Sequence, residues 1–149
     1  MSQCSKDLFL RFGLEGLKKR NPQDLSGGEK QRLALCVALG KEADYYFLDE
    51  PTKGMDAKSK KIFGELLKEW TKMEKSIVMV SHDMEFTAKY ADEISLLYQG
   101  EIIVQCPVRE FMEENQFYTT GMNRVTRRVN PHIITIEDVK KYAKRKNSQ

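Results

Sequence analysis

Apolar residues along the chain follow two different spacings, which predict strands and helices in alternation. The unbroken apolar runs "YYFL" (45–48) and "SIVMVS" (76–81) are typical of buried strands. Apolar residues three and four positions apart predict helices around these runs. The predicted helices cover residues 6–19, 27–43, 56–73, 84–90, 107–115 and 136–146. Strands that alternate with helices imply a parallel sheet, and therefore an α/β fold.

A second pair of strands is predicted beyond residue 92. The stretch "EISLLYQGEIIVQC" contains two apolar segments about a turn at Gln99 and Gly100, which is typical of a hairpin. Near the end of the chain, Thr135 and Asp138 have the spacing of a helix cap. The sequence therefore predicts that an antiparallel pair and further helices follow the parallel strands.

Polar side chains follow both predicted parallel strands, and ligands of open α/β sheets bind at those strand ends. Asp49 and Glu50 follow the first strand, and His82 follows the second. Asp49 suits Mg²⁺ binding, and Glu50 suits orientation or deprotonation of an attacking water. His82 suits a hydrogen bond to a phosphate or to that water. In the alternative interpretation, both acids cap the following loop and His82 is structural or a surface residue.

The segment "SGGE" supports two interpretations that remain open. Ser26 and Glu29 have the spacing of a capping box at a helix start. Gly27 and Gly28 inside that box disfavour a helix, so they indicate a close approach to a backbone. Bare amides at a helix N-terminus attract anions, and a phosphate is the anion such a site suits.

Composition excludes several classes of protein. Hydrophobic residues make up 40% of the 149 residues and charged residues 32%, as in globular domains. The three cysteines form neither a disulfide framework nor a zinc motif, which favours a reducing cytoplasm. No apolar run approaches the ~20 residues that span a bilayer. Any link to a membrane is therefore expected to pass through a partner.

The charge is concentrated near the C-terminus. Residues 121–149, the basic tail, contain eight Lys or Arg residues and two acidic residues. The rest of the chain contains 17 basic and 20 acidic residues. A basic segment can bind nucleic acid or anionic lipid. We favour the simpler interpretation of a solvated, partly flexible terminus.

Four segments in order resemble the motifs of the ATP-binding-cassette (ABC) ATPases. "LSGGE" (25–29) resembles the signature motif, and "YYFLDE" (45–50) resembles Walker B. "KGMD" (53–56) resembles the D-loop, and His82 occupies the position of the switch histidine. The resemblance covers approximately residues 6–115, with matching order and spacing.

The resemblance implies a P-loop NTPase fold of the ABC type, with ATP and Mg²⁺ as ligands. In that family two cassettes dimerise head to tail around two ATP molecules. Ser26–Glu29 would contact the nucleotide of the partner cassette. Glu50 and His82 would be catalytic, Asp49 would bind Mg²⁺, and Asp56 would lie at the dimer interface.

The sequence departs from the family pattern because it contains no G-x-x-x-x-G-K-[ST] phosphate loop. We therefore expect a partial fold that lacks the N-terminal Walker A lobe. Residues 1–120 would be the C-terminal part of the ATPase domain, followed by the basic tail. We expect a truncated fragment of this kind to bind no ATP alone.

The resemblance also implies partners. These are a second ABC ATPase subunit and a transmembrane transporter subunit at the cytoplasmic face of the membrane. "EPTKGMD" and "FYTTGMNRVTRR" are similar to segments of energy-coupling-factor importers of vitamins and transition metals. Two alternatives stay open: a DNA-repair or chromosome-maintenance head of the same superfamily, and a non-catalytic interaction module. Nucleic acid is not the favoured partner, because no heptad run precedes the signature segment.

Overall fold

The computed structural model describes residues 3–146, with side chains from Lys6 onward. The side chain of Cys4 and the last three residues of the basic tail lie outside this description. The chain forms two compact units, one up to His82 and one from Asp83 onward. None of the helices between residues 3 and 146 has the length and apolar character needed to cross a bilayer.

The first unit contains a parallel pair of strands joined by a helix, as the sequence predicts. Its strands pair in register from Tyr45 with Ser76 to Asp49 with Val80. Its elements in chain order are α1 (Gln3–Arg11), α2 (Gly27–Leu39), β1 (Tyr45–Asp49), α3 (Ala57–Thr71) and β2 (Ser76–Val80).

Two helices are shorter than predicted. The first was expected over residues 6–19, but α1 ends at Arg11 because Gly13 takes a left-handed conformation with φ of 66°. A short 3-10 turn follows, and the side chain of Leu14 is buried beside it. The second was expected to reach residue 43, but α2 ends at Leu39 before Gly40.

The apolar strands are buried on one face only, so the prediction of wholly buried strands is wrong. Tyr46 is buried, with its ring centroid 4.7 Å from that of Trp70 on α3. Its neighbours Tyr45 and Phe47 are 68% and 77% exposed. Within residues 3–146, no strand other than β2 pairs with β1. A continuous apolar run does not reveal whether both faces are covered.

Residues 50–56, the post-β1 loop, connect β1 to α3 and lie against α2. A Cβ built on Gly28 would be 2.9 Å from the carbonyl oxygen of Gly54, closer than real Cβ contacts. A Cβ built on Gly27 would meet nothing within 4 Å. Adjacent glycines therefore have different environments, and Gly28 is the one that allows α2 to pack against the loop.

The second unit combines the predicted hairpin with four helices. The antiparallel strands turn at Gln99 and Gly100, and this prediction is confirmed. The elements are α4 (Met84–Tyr90), β3 (Glu93–Tyr98), β4 (Glu101–Pro107), α5 (Val108–Glu114), α6 (Gly121–Thr126) and α7 (Ile136–Lys146). The core of this unit comprises Val108, Phe111, Met112 and Ile134.

The sequence missed α6, which lies in the basic tail. Asn123 on this helix is fully buried. Its side-chain amide donates to the carbonyl oxygens of Pro131 (2.7 Å) and Ile133 (3.1 Å) and accepts from the Thr119 hydroxyl (3.2 Å). Residues 121–134 are therefore packed, in contrast to the flexible terminus that we favoured, whereas the helix that follows at residues 136–146 buries no residue. The family-based boundary at residue 120 stays a prediction.

Replacing Asn123 with Ala should destabilise the second unit by about 1–3 kcal/mol, because the Pro131 carbonyl loses its side-chain donor. The Ile133 carbonyl still accepts from the Thr126 hydroxyl, and the Thr119 hydroxyl still donates to the Met112 carbonyl. Amide hydrogen exchange of α5 would measure the change. Val125→Ala, on the exposed side of the same helix, is the matched control. Equal exchange in both variants would contradict the role of Asn123.

Replacing Gly28 with Ala should destabilise the first unit by roughly 1–3 kcal/mol, because the loop carbonyl must move. Gly27→Ala should have little effect or stabilise by up to ~1 kcal/mol, since alanine favours helices. Denaturant unfolding followed by the fluorescence of Trp70, the single tryptophan of the chain, compares the two variants. A reversed order would show that α2 is not held against Gly54.

Candidate functional site

The N-terminus of α2 carries the predicted capping box. The Ser26 hydroxyl accepts a hydrogen bond from the Glu29 amide (3.3 Å), and the Glu29 carboxylate accepts one from the Ser26 amide (2.8 Å). This bond from the Ser26 backbone lowers the pKa of Glu29 below its usual value. The structural interpretation of this segment is therefore confirmed.

The capping box uses the amides of Ser26 and Glu29 as donors. The amides of Gly27 and Gly28 are the other two at the start of the helix, and they take no part in the box. Gly27 is exposed, and the space around its Cα is open. Only Gly28 makes the close backbone approach, and it does so within this chain. The open space at the Cα of Gly27 leaves room for a ligand beside the helix start, next to the Glu29 carboxylate that accepts from the Ser26 amide.

Glu50 follows β1 in a strained conformation. Its φ is 44°, in the left-handed region that side chains seldom adopt. Such a conformation costs about 1–3 kcal/mol and persists only where surrounding contacts fix it. The Glu50 amide donates to the Val80 carbonyl (2.9 Å), and its carbonyl accepts from the Lys53 amide (3.1 Å). The chain therefore turns sharply where the carboxylate leaves the sheet.

The structure brings Glu50 and His82 together across the ends of the two strands. His82 Nε2 lies 3.6 Å from Glu50 Oε1. That oxygen is buried and has no hydrogen-bond partner, whereas the His82 side chain is 92% exposed. A buried carboxylate oxygen without a donor leaves hydrogen-bonding capacity unused. The Glu50 side chain as a whole is 28% exposed, so a water or a substrate group could approach the carboxylate and His82 from solvent.

Asp49 ends β1 with an exposed side chain. No group of three or more His, Cys, Asp or Glu among the described residues is arranged to hold a metal ion. Magnesium sites commonly use one or two carboxylates together with water and phosphate oxygens. Asp49 could therefore supply one carboxylate ligand to Mg²⁺, and the substrate and water would supply the other ligands.

Asp56 has a structural role within this chain. It caps α3, where its carboxylate accepts from the Ser59 amide at 2.7 Å. This hydrogen bond is the largest influence that lowers the pKa of Asp56. Arg32 on α2 lies 3.6 Å from the same carboxylate and donates to the Ser59 hydroxyl (3.3 Å). Asp56 therefore links α2 and α3.

Gln31, which no pattern in the sequence indicates, also contributes to this site. Its side-chain amide donates to the main-chain carbonyls of Pro51 (3.1 Å) and Glu50 (3.4 Å). A polar side chain that recognises backbone carbonyls leaves no pattern of spacing or composition. The only indication in the sequence was that Gln31 lies two residues after the glycine-containing cap, Ser26–Glu29.

The two cysteines with described side chains are not nucleophile candidates. Burial raises the pKa of the Cys36 thiol to about 12. Burial and nearby acids also raise the pKa of Cys106. Because the thiolate is the reactive form, both should be inert at neutral pH.

Comparisons with known sequences agree with the motif assignment. A family model described as ABC transporter matches residues 1–53. A provisionally named ABC transporter ATP-binding protein of Bacillus cereus is 46% identical over 137 residues, covering 92% of this chain and 25% of that protein. A protein of Pyrococcus furiosus with the same provisional name is 43% identical over 101 residues, covering 68% and 39%. The chain thus spans well under half the length of these relatives.

Solved structures give the same result at the level of the fold. A dimeric ATP-binding cassette in a post-hydrolysis state, bound to ADP and Pi, superposes with a TM-score of 0.64 at 27% identity. An ATP-binding subunit of an ABC transporter superposes with a TM-score of 0.66 at 22% identity. The matches cover 73% and 76% of this chain and 50% of each solved chain. The chain belongs to the ABC transporter ATPase family, and it has the α/β fold of part of the nucleotide-binding domain.

Proposed function

We propose that this chain contributes the hydrolytic and signature elements of an ATPase that drives an ABC transporter. The observation that carries the proposal is the pairing of Glu50 and His82, 3.6 Å apart, at the carboxyl ends of two parallel strands. Ligands of such sheets bind at this edge. The glycine-containing end of α2 belongs to the same compact unit.

Glu50 would act on the water that attacks the γ-phosphate. Its side chain is 28% exposed, and the accessible part of the carboxylate can accept a hydrogen bond from that water and orient it or take its proton. His82 is exposed at the same edge and would donate a hydrogen bond to the phosphate or to the water. Asp49 would hold Mg²⁺, which neutralises charge on the phosphates when bound.

The signature segment would serve a second nucleotide. Ser26 and Gly27 are exposed at the start of α2, where the helix dipole and the first-turn amides favour an anion. The related cassette bound to ADP and Pi was solved as a dimer. A head-to-tail dimer would place Ser26–Glu29 against the nucleotide of the partner cassette and Asp56 at the interface.

A complete nucleotide site requires a phosphate loop, which these 149 residues do not contain. Binding of a triphosphate in P-loop proteins depends mainly on the loop amides and the lysine. We therefore propose that the chain has no useful affinity for ATP by itself and acts together with a lobe that carries the loop.

Coupling to transport would occur through a transmembrane subunit at the cytoplasmic face of the membrane. "EPTKGMD" and "FYTTGMNRVTRR" favour an importer of the energy-coupling-factor type. The membrane partner would then select the transported solute, since a cassette itself carries no site for it.

Titration with labelled ATP and Mg²⁺ tests the proposed function. The chain alone should bind no ATP, and a mixture with a separately produced lobe carrying a phosphate loop should bind and hydrolyse it. Tight binding by the chain alone would contradict the dependence on that lobe. Binding by the mixture without hydrolysis would contradict the catalytic assignment.

Glu50→Gln should lower hydrolysis by the mixture about 10²–10⁴-fold while ATP binding persists, because the amide cannot take a proton. A phosphate-release assay and the ATP titration measure the two effects separately. Asp44→Asn, which neutralises an exposed acid just before β1, should behave as wild type. Normal turnover by Glu50→Gln would refute its role.

Ser26→Arg should preserve ATP binding by the mixture but prevent ATP-dependent dimerisation and hydrolysis, because the guanidinium would fill the space in front of Gly27. Light scattering with and without ATP measures the dimer. Gly16→Arg adds the same group where nothing lies within 4 Å and serves as the control. Undiminished hydrolysis by Ser26→Arg would exclude a role in trans for the signature segment.

A further inference from the structure

The carboxylate of Glu50 is positioned by a backbone that is not inherently stable. The left-handed φ of 44° at Glu50 is followed by a turn, in which the Lys53 amide donates to the Glu50 carbonyl. Pro51 at the second position suits this turn, and its side chain is fully buried. A side chain on a strained backbone keeps its direction only if neighbouring groups hold that backbone in place.

Helix α2 supplies three such attachments, which together form the α2 clamp: Gly28, Gln31 and Arg32. Gln31 donates to the carbonyls of Glu50 and Pro51. Gly28 allows the Gly54 carbonyl to approach the helix backbone. Arg32 contacts the cap of α3 through the Ser59 hydroxyl and the Asp56 carboxylate. The clamp therefore holds the start, the middle and the end of the post-β1 loop.

The contact from Gln31 is not needed to satisfy the Glu50 carbonyl, because that oxygen already accepts from the Lys53 amide at 3.1 Å. The Gln31 side chain instead orients the main chain. One amide group bonded to two successive carbonyls fixes the orientation of the peptide unit between them. This unit includes the carbonyl of the residue whose carboxylate faces His82.

We propose that Gln31 is a positioning residue that sets the direction of the Glu50 carboxylate through the main chain. The expected effect on hydrolysis rests on the proposed function, whereas the expected effect on the backbone at residues 50–53 does not. Gln31 lies only two residues after Ser26–Glu29 on the same helix. The helix that would meet the partner's nucleotide thus also holds the catalytic carboxylate for the chain's own nucleotide.

The test compares Gln31→Met, which keeps the length of the side chain and removes the donor, with Gln31→Lys, which restores a donor. Lys30→Met places the same side chain at the adjacent exposed position and is the control. Hydrogen exchange of the Lys53 amide in the 149-residue chain reports the backbone directly. Steady-state kinetics of the mixture with the phosphate-loop lobe report kcat and KM.

Exchange at Lys53 should accelerate about 10-fold or more in Gln31→Met, since the turn loses an anchor, while the amides of α7 stay unchanged. In the mixture, kcat should fall by about 10–100-fold with KM within about twofold, as expected for a misplaced catalytic group. Gln31→Lys should recover much of both losses, and Lys30→Met should match wild type.

Unchanged exchange in Gln31→Met would overturn the proposal. So would a rise in KM at constant kcat, because that result indicates lost binding rather than misdirection of Glu50. Accelerated exchange in a mixture whose wild-type form does not hydrolyse ATP would refute the proposed function while leaving the clamp in place. If the wild-type mixture hydrolyses ATP and Gln31→Met changes neither exchange nor kinetics, the proposed function would stand and the role of Gln31 would be refuted.

Discussion

The close approach of α2 to the post-β1 loop is the constraint on which the rest of the first unit depends. Gly28 has no Cβ, so the Gly54 carbonyl can lie where a side chain would otherwise stand. This approach brings Gln31 within reach of the Glu50 and Pro51 carbonyls, and Arg32 within reach of the α3 cap. The strained conformation of Glu50 is compatible with a folded loop because these contacts surround it.

The same helix therefore has two tasks at opposite ends of one short segment. Its start, at Ser26 and Gly27, is exposed, while Gln31 and Arg32 contact the loop that carries Glu50 and the cap of α3. Helices are stiff over such a distance, because each turn is held by several backbone hydrogen bonds. A small rotation at the start of α2 would consequently shift the backbone that carries the Glu50 carboxylate.

Local chemistry was readable from the sequence wherever it depended on near neighbours. The cap formed by Ser26 and Glu29, the turn at Gln99 and Gly100, and the Thr135–Asp138 cap all lie where the residue types predict them. Helix ends were less accurate, since Gly13 and Gly40 stopped helices that apolar spacing alone would continue.

Contacts between distant residues could not be predicted in this way. Helix α6 has only one turn and a half, and the buried Asn123 stabilises it through carbonyls 8 and 10 residues away. The clamp contacts of Gln31 span 19 and 20 residues. The pairing of Glu50 with His82 was predictable only because parallel strands bring their ends to one edge. The distance between the two side chains and the burial of Glu50 Oε1 could not be predicted.

The exposed face of the β1–β2 sheet has a consequence for the protein in a cell. Tyr45, Phe47, Val78 and Val80 are all more than half exposed, and they form an aromatic and β-branched surface on adjacent strands. Exposed apolar surfaces of this kind are interaction sites or aggregation liabilities. Copies in which this face stays uncovered would therefore tend to self-associate as their concentration rises.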